Sequence, residues 1–355
     1  MKPICLLSAA EQVAAHLRNE IHRGELRGEM PGIHQLAADL VANHKTVKAA
    51  LGLLEMEGLL ATQGSGRARR IAALPGAAAV PSLRVAILNY DPPERTACYV
   101  TELLHGLLHA GHSAFFSKKS LTDMGMDLRR VTKHVRQTEA DVWVVIRGSR
   151  EVLEWFAASG KPAFALFGRR GGLTIAGARP DKVQAFIDVT RQLTGLGHRR
   201  IVLLSRRERR LPQPGASERA FLAELKSHGI AVGSYHLPDW EETIAGFHAR
   251  LDSLFQSTPP TALITDEAPF FLAAMQFLMS RGLRVPRDVS LVCADGTPDF
   301  AWFRPPVSHI EWDTAPLVRS AIRWASHIAR GKKNLRQILT KAAFVPGGTV
   351  GPAKS

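Results

Sequence analysis

The segment Asn43–Arg70 reads NHKTVKAALGLLEMEGLLATQGSGRARR. Its first half places Val47, Ala50, Leu51 and Leu54 at the three- and four-residue spacing of one helix face. His44, Lys45 and Lys48 fall on the opposite face. Asn43 stands where an N-cap is needed, and Gly58 where a helix stops. Beyond it, Leu59–Thr62 and Ala68–Ile71 can pair as two short strands about Gln63-Gly64-Ser65-Gly66-Arg67. No acidic residue lies between Leu40 and Leu54, and after Glu57 none occurs before Asp91. This is either a surface that meets a polyanion or a solvated charge run. Charge alone does not separate the two.

The flanking sequence does. Ser8-Ala9-Ala10-Glu11 is a capping box, followed by Val13, Leu17 and Ile21 on one face and a stop at Gly24. After Pro31-Gly32, a short helix turns Ile33, Leu36, Ala37 and Leu40 inward. Three helices and a hairpin, in that order, predict a winged helix-turn-helix. Ala72–Ser82 (AALPGAAAVPS) has two prolines and no charge, and reads as a linker. The division is a unit at 1–71, a linker at 72–82 and a larger unit at 83–355.

The larger unit alternates. Apolar, strand-like runs occur at Arg84–Leu88, Val142–Ile146, Ala163–Phe167, Ile201–Leu204, Ala262–Thr265 and Val289–Ala294. Between them lie amphipathic stretches such as Tyr99–Ala110, Asp181–Leu196, Arg219–His228 and Pro269–Arg281. This alternation predicts an α/β unit with doubly wound parallel sheets, and its length suggests two similar lobes.

Composition sets the outer bounds. Apolar residues make up 45% and charged ones 22%, as in folded soluble proteins. Cys5, Cys98 and Cys293 are distant from one another and odd in number, which predicts reduced thiols. The N-terminal apolar run is too short for a signal peptide, and no run approaches a membrane span, so a cytoplasmic location is expected. The net charge of +14 favours a polyanionic partner. Residues 1–75 hold nine Lys/Arg against seven Asp/Glu, so the surplus lies mostly beyond the N-terminal unit.

Duplex DNA is a dense row of phosphates whose major groove admits a helix. His44, Lys45, Thr46 and Lys48 can donate to phosphates and base edges. Gly64 and Gly66 let the hairpin approach the backbone, and Arg67, Arg69 and Arg70 supply charge there. Ala9–Ile71 resembles the DNA-binding domain of the GntR family of bacterial repressors. The resemblance rests on His22-Arg23-Gly24-Glu25-Leu26, Met30-Pro31, Leu36-Ala37-Ala38-Asp39-Leu40 and Thr46-Val47-Lys48-Ala49-Ala50-Leu51. It continues through Leu54-Glu55-Met56-Glu57-Gly58-Leu59-Leu60 and Gln63-Gly64-Ser65-Gly66. It implies DNA contacts at His34, Asn43, His44, Lys45, Thr46 and Lys48, and at Gly64, Gly66 and Arg67 of the wing. Family members usually carry arginine at the positions of His34 and His44, serine at Asn43 and often arginine at Lys48. The operator is therefore this protein's own. Two imidazoles in reading positions also predict tighter operator binding at about pH 6 than at about pH 8, because only the protonated ring adds charge. A flat response in a salt-matched titration would exclude this.

The larger unit shows no GxGxxG, P-loop, HExxH or nucleophile elbow, and its histidines form no metal-type pairs. No enzyme activity, cofactor or metal is expected. Leu83–Pro352 is similar to the effector domain of the lactose-repressor (LacI/GalR) type, itself like periplasmic sugar-binding proteins. The matching residues include Leu196-Gly197-His198-Arg199-Arg200-Ile201, Glu218-Arg219-Ala220-Phe221 and Thr261-Ala262-Leu263-Ile264-Thr265-Asp266. Gly282-Leu283-Arg284-Val285-Pro286-Arg287-Asp288-Val289-Ser290 is the most specific run, and Asp295-Gly296 and Phe344-Val345-Pro346-Gly347-Gly348-Thr349 follow. The resemblance implies two lobes, crossovers near 186, 297 and 332, and a small-molecule cleft.

Ligands in such sheets lie beyond the C-terminal strand ends. That rule and the motif match give Tyr90, Asp91, Arg147, Arg219, Asp266, Asp295 and Trp302 as candidate effector residues. The plain alternatives are helix capping for the aspartates and packing for Trp302. Ser205–Arg210 (SRRERR) reads as a solvated loop, with contact to an anionic effector, such as a phosphorylated one, as the alternative. The function implied is a transcriptional repressor, acting as a homodimer on operator DNA and modulated by a sugar-like effector. A DNA-binding enzyme and an effector-independent DNA-binding protein are the rival classes.

Overall fold

The computed structural model describes residues 8–23, 26, 28–61, 68–71 and 81–354, with the backbone alone at 19, 22 and 23. Much of the expected wing (Gly64, Gly66 and Arg67) and most of the linker lie outside the described residues.

The N-terminal unit contains α1 (Ala9–Arg23), α2 (Ile33–Asp39), α3 (His44–Met56) and the strands β1 (Leu60–Ala61) and β2 (Arg70–Ile71). The capping box forms: the Ser8 N–H donates to Glu11 Oε2 at 2.6 Å, and the Glu11 N–H to Ser8 Oγ at 3.3 Å. Asn43 Oδ1 accepts from the Lys45 N–H at 2.9 Å and starts α3. Gly58, at φ 75°, ends it in a Schellman turn, in which the Leu59 N–H reaches Leu54 O and the Gly58 N–H reaches Glu55 O. Val47, Ala50, Leu51 and Leu54 are fully buried against Ala14, Leu17 and Leu36. Each of the larger side chains contributes about 1.5–3 kcal/mol by leaving water. Arg18 forks onto Glu57, tying α1 to the end of α3. β1 and β2 pair antiparallel, Leu60 opposite Ile71.

The remaining residues form β3 (Arg84–Leu88), α4 (Cys98–His109), β4 (Ser113–Phe116), α5 (Leu128–Gln137), β5 (Val142–Ile146), α6 (Arg150–Ala158), β6 (Ala163–Leu166) and β7 (Ala176–Asp181). There follow α7 (Val183–Gly195), β8 (Ile201–Leu204), α8 (Arg207–Arg210), α9 (Ala216–Ser227), α10 (Ile244–Ser257), β9 (Ala262–Thr265) and α11 (Ala268–Ser280). The last are β10 (Ser290–Cys293), β11 (Ser308–Trp312), α12 (Ala315–Ala329) and β12 (Gln337–Val345).

Among the described residues the strand order is β4-β3-β5-β6-β7-β12-β11-β10-β9-β8. Every neighbouring pair is parallel except β11 with β12. Side chains alternate between two cores. Val85, Ile87 and Val144 face α4 and α12, whereas Ala86, Leu88 and Val145 face the other side with Val131 and Phe156. In the second lobe, Val202 and Leu263 oppose Ile201 and Ile264 in the same way. A sheet covered on both faces needs unbroken apolar strands, which is why these runs do not alternate in sequence.

β12 belongs to both lobes. Gln337–Lys341 pair with Gly177–Asp181 of the first, and Ala342–Val345 pair with Trp312–His309 of the second. The chain crosses between lobes after β7, at Asp313–Thr314 between β11 and α12, and within β12. The crossovers expected near 297 and 332 therefore lie further along. Thr297 caps a short turn beyond β10, and 332 precedes the strand that makes the passage.

Candidate functional site

Two surfaces carry chemistry. In the N-terminal unit, His34, His44, Lys45 and Lys48 are exposed on α2 and α3, while Thr46 is half-buried. The first turn of α3 has no acidic residue. The His34 and His44 rings meet edge to face with centroids 4.3 Å apart. Asn43 is occupied as the cap of α3, so its carbonyl oxygen is engaged within the fold. Arg69, expected to add charge beside the wing, pairs instead with Glu55 of α3.

In the larger unit a cavity of about 390 Å³ opens between the lobes, within the ~300–1,000 Å³ range of small-molecule sites. Its walls are the C-terminal ends of the strands. Tyr90 follows β3, Arg147 follows β5, Phe167 follows β6, Glu267 follows β9 and Asp295 follows β10. The first turn of α9 adds Ala216, Ser217 and Glu218. Arg147 and Phe167 adopt φ of 55° and 63°, a left-handed backbone unfavourable for side-chain-bearing residues. Such strain is found where a site needs a side chain aimed away from the strand direction.

Charges link the lobes across the cavity. Arg147 of the first lobe pairs with Glu267 of the second and, at 3.0 Å, with Glu94. Arg206 forks onto Glu267 and lies 4.8 Å from the centre of the Tyr90 ring. Burial works against the Glu267 carboxylate, but Arg147 and Arg206 outweigh it and hold its pKa at about 2. Arg169 reaches over to the carbonyls of Glu208 at 3.0 Å and Leu211 at 2.6 Å. At the crossovers, Asp295 accepts from Trp312 Nε1–H at 2.7 Å and sits 3.5 Å from the buried Lys182 ammonium.

Of the seven residues expected around an effector, Tyr90, Arg147, Arg219 and Asp295 line the cavity. The other three do not. Asp266 is buried beneath the wall, where it accepts from the Arg206 N–H and holds Arg209 Nε at 3.2 Å. Asp91 caps the short turn Pro93–Thr96 through the Glu94 N–H. Trp302 is 88% exposed in a turn outside the cavity, and the tryptophan that lines it is Trp312. The loop Ser205–Arg210 is not a solvated run: Arg206 and Arg209 line the cavity, and Arg210 is buried.

Sequence reasoning missed Arg169, Arg170, Arg179 and Lys182. The Arg169-Arg170 pair directly after a strand-like run was the available signal. Among the described residues no group of acidic, histidine or cysteine side chains could hold a metal ion, and no helix is long and apolar enough to cross a membrane.

Comparison with known proteins places both units. Residues 9–69 match the family of bacterial regulatory proteins of the gntR type, and residues 190–350 match the periplasmic binding protein-like domain family. The lactose operon repressor of Escherichia coli (strain K12) is 28% identical over 144 residues, 39% of this chain. The match spans only 38% of that relative's length. A solved complex of the transcriptional regulator CelR with cellobiose has a TM-score of 0.61 at 16% identity, covering 90% of this chain and all of that one. A LacI family transcriptional regulator from Mycobacterium smegmatis has a TM-score of 0.61 at 18% identity, covering 76% of this chain and all of that one. At these identities the solved structures establish the fold. The chain thus joins a helix-turn-helix segment that matches the gntR family of bacterial regulatory proteins to a segment that matches the periplasmic binding protein-like domain family.

Proposed function

We propose that this protein is a sequence-specific transcriptional repressor whose hold on operator DNA is set by a small molecule in the inter-lobe cavity. The observation that carries this reading is the pairing of an acid-free, cation-bearing first turn on a capped α3 with a cavity walled by both lobes. His34, His44, Lys45, Thr46 and Lys48 meet the DNA, with Gly64, Gly66 and Arg67 reaching it from the wing. The units are residues 1–71, a linker at 72–82, and 83–355. A sugar or sugar derivative binds among Tyr90, Arg147, Arg219 and Asp295, in keeping with the cellobiose held by CelR and the lactose operon repressor's name. Binding favours one arrangement of the lobes, which couples the cavity to the DNA heads of a homodimer. The relatives are transcriptional regulators, and this chain too is read as a binding protein rather than an enzyme.

The test is selection of duplexes from a random pool by the full chain, followed by salt titration of the selected site. The expected product is a near-palindromic sequence, and Lys48→Ala weakens binding and lowers the salt slope by about one. Enrichment no better than scrambled DNA would reject the proposal.

A further inference from the structure

The cavity's charges do not balance. Nine of its lining residues are arginine or lysine and four are aspartate or glutamate. Arg147, Arg150, Lys182, Arg206 and Arg209 each have a carboxylate within ion-pair range. Arg169, Arg170, Arg179 and Arg219 have none among the described residues and hold only backbone carbonyls. Arg170 is 1% exposed, and its Nε and Nη1 have no hydrogen-bond partner among the described residues.

These guanidiniums also repel one another. Burial first, and then the charge of Arg179, push the Arg170 pKa down to about 10. Burial likewise lowers Arg169; the Glu218 carboxylate opposes this, and Arg219 and Arg150 add to it. All remain cations at neutral pH, since arginine does not give up its proton there. The start of α9 lies on the same wall: Gly215, Ala216 and Ser217 line the cavity, and Gly215 provides no side-chain cap for the helix N–H groups. The buried Glu218 carboxylate of that first turn already accepts from its own backbone N–H, so the arginines carry the anion's contacts. Tyr90, Phe167 and Trp312 supply aromatic surface in the same cavity, fit to cover the apolar face of a sugar ring.

We infer that the effector is an oxyanion-bearing sugar, with a phosphate ester at Arg169, Arg170, Arg179 and Arg219 and its ring against the aromatic wall. This rests on the cavity being an effector site. Four guanidiniums with no carboxylate in ion-pair range suit a dianion better than a single carboxylate, because each can offer a forked pair of donors.

The experiment uses the full chain and two variants at unburied positions, Arg219→Ala and Arg179→Gln. Inorganic phosphate is expected to raise the unfolding midpoint above that in chloride of equal ionic strength, and to do so less in both variants. A hexose 6-phosphate is expected to bind more than tenfold tighter than its parent hexose, and each variant to lose about tenfold or more of that affinity. Tight binding of a hexuronate with weak binding of the hexose 6-phosphate still supports an oxyanion and assigns it to a carboxylate. Phosphate acting no differently from chloride overturns the inference, as does a neutral hexose whose binding neither variant changes. A neutral sugar that releases DNA would leave the regulator standing and remove only the anion, whereas loss of specific DNA binding would remove the regulator itself.

Discussion

Val41 occupies the turn between α2 and α3 at φ 49°, with its side chain 93% exposed. A β-branched residue in the left-handed region crowds its own backbone at ~1–2 kcal/mol, and solvent gives no packing in return. Val41→Gly is therefore expected to stabilise the N-terminal unit by about 0.5–1 kcal/mol, glycine's larger chain entropy offsetting the rest. A lower midpoint in denaturant would refute this. Glu267 is the opposite case, a residue whose charge holds others. Its pKa of about 2 lies below the ordinary carboxylate value, so its contribution is full above about pH 5 and is lost as pH falls through about 2. Glu267→Gln leaves Arg147 and Arg206 short of their shared partner and should cost about 3 kcal/mol at neutral pH. The difference between variant and wild type should shrink on acidification. An equal loss at both ends of the pH range would show that the charge is not what matters.

At the level of elements, α3 was legible because its signals are local. The cap at Asn43, the buried stripe and the Gly58 turn all lie within its own residues and the next few. Asn43→Ala should cost about 1 kcal/mol of N-terminal stability, read from that unit's unfolding. The bounds of β3, β5, β8 and β9 match the expected runs for the same reason: strands buried on both faces are apolar throughout. β4, β7, β11 and β12 were not read. β7 is AGARPD, whose glycine and proline argue against a strand, and it persists because β6 and β12 flank it. β12 leaves most of its side chains at least partly open to water, so it carries no apolar run to detect.

At the scale of the whole molecule, the cavity assembles residues that are distant in sequence. Arg169, Arg170, Arg179 and Arg219 meet only because β6, β7 and the start of α9 converge at the crossovers. No spacing rule predicts that convergence. Trp302, expected in the cavity, is instead 88% exposed in a turn beyond β10, and the cavity is lined by Trp312 at the end of β11, a difference that only three-dimensional order reveals. β12 has a further consequence. A single strand supplies hydrogen bonds to each lobe, so neither lobe can melt without stripping an edge from the other. Scanning calorimetry should then record one cooperative endotherm for residues 81–354, with calorimetric and van't Hoff enthalpies in agreement, despite the two-lobed outline. Two resolved endotherms within that region would show that the lobes melt as independent units, and that the shared strand is a tether and not a coupling.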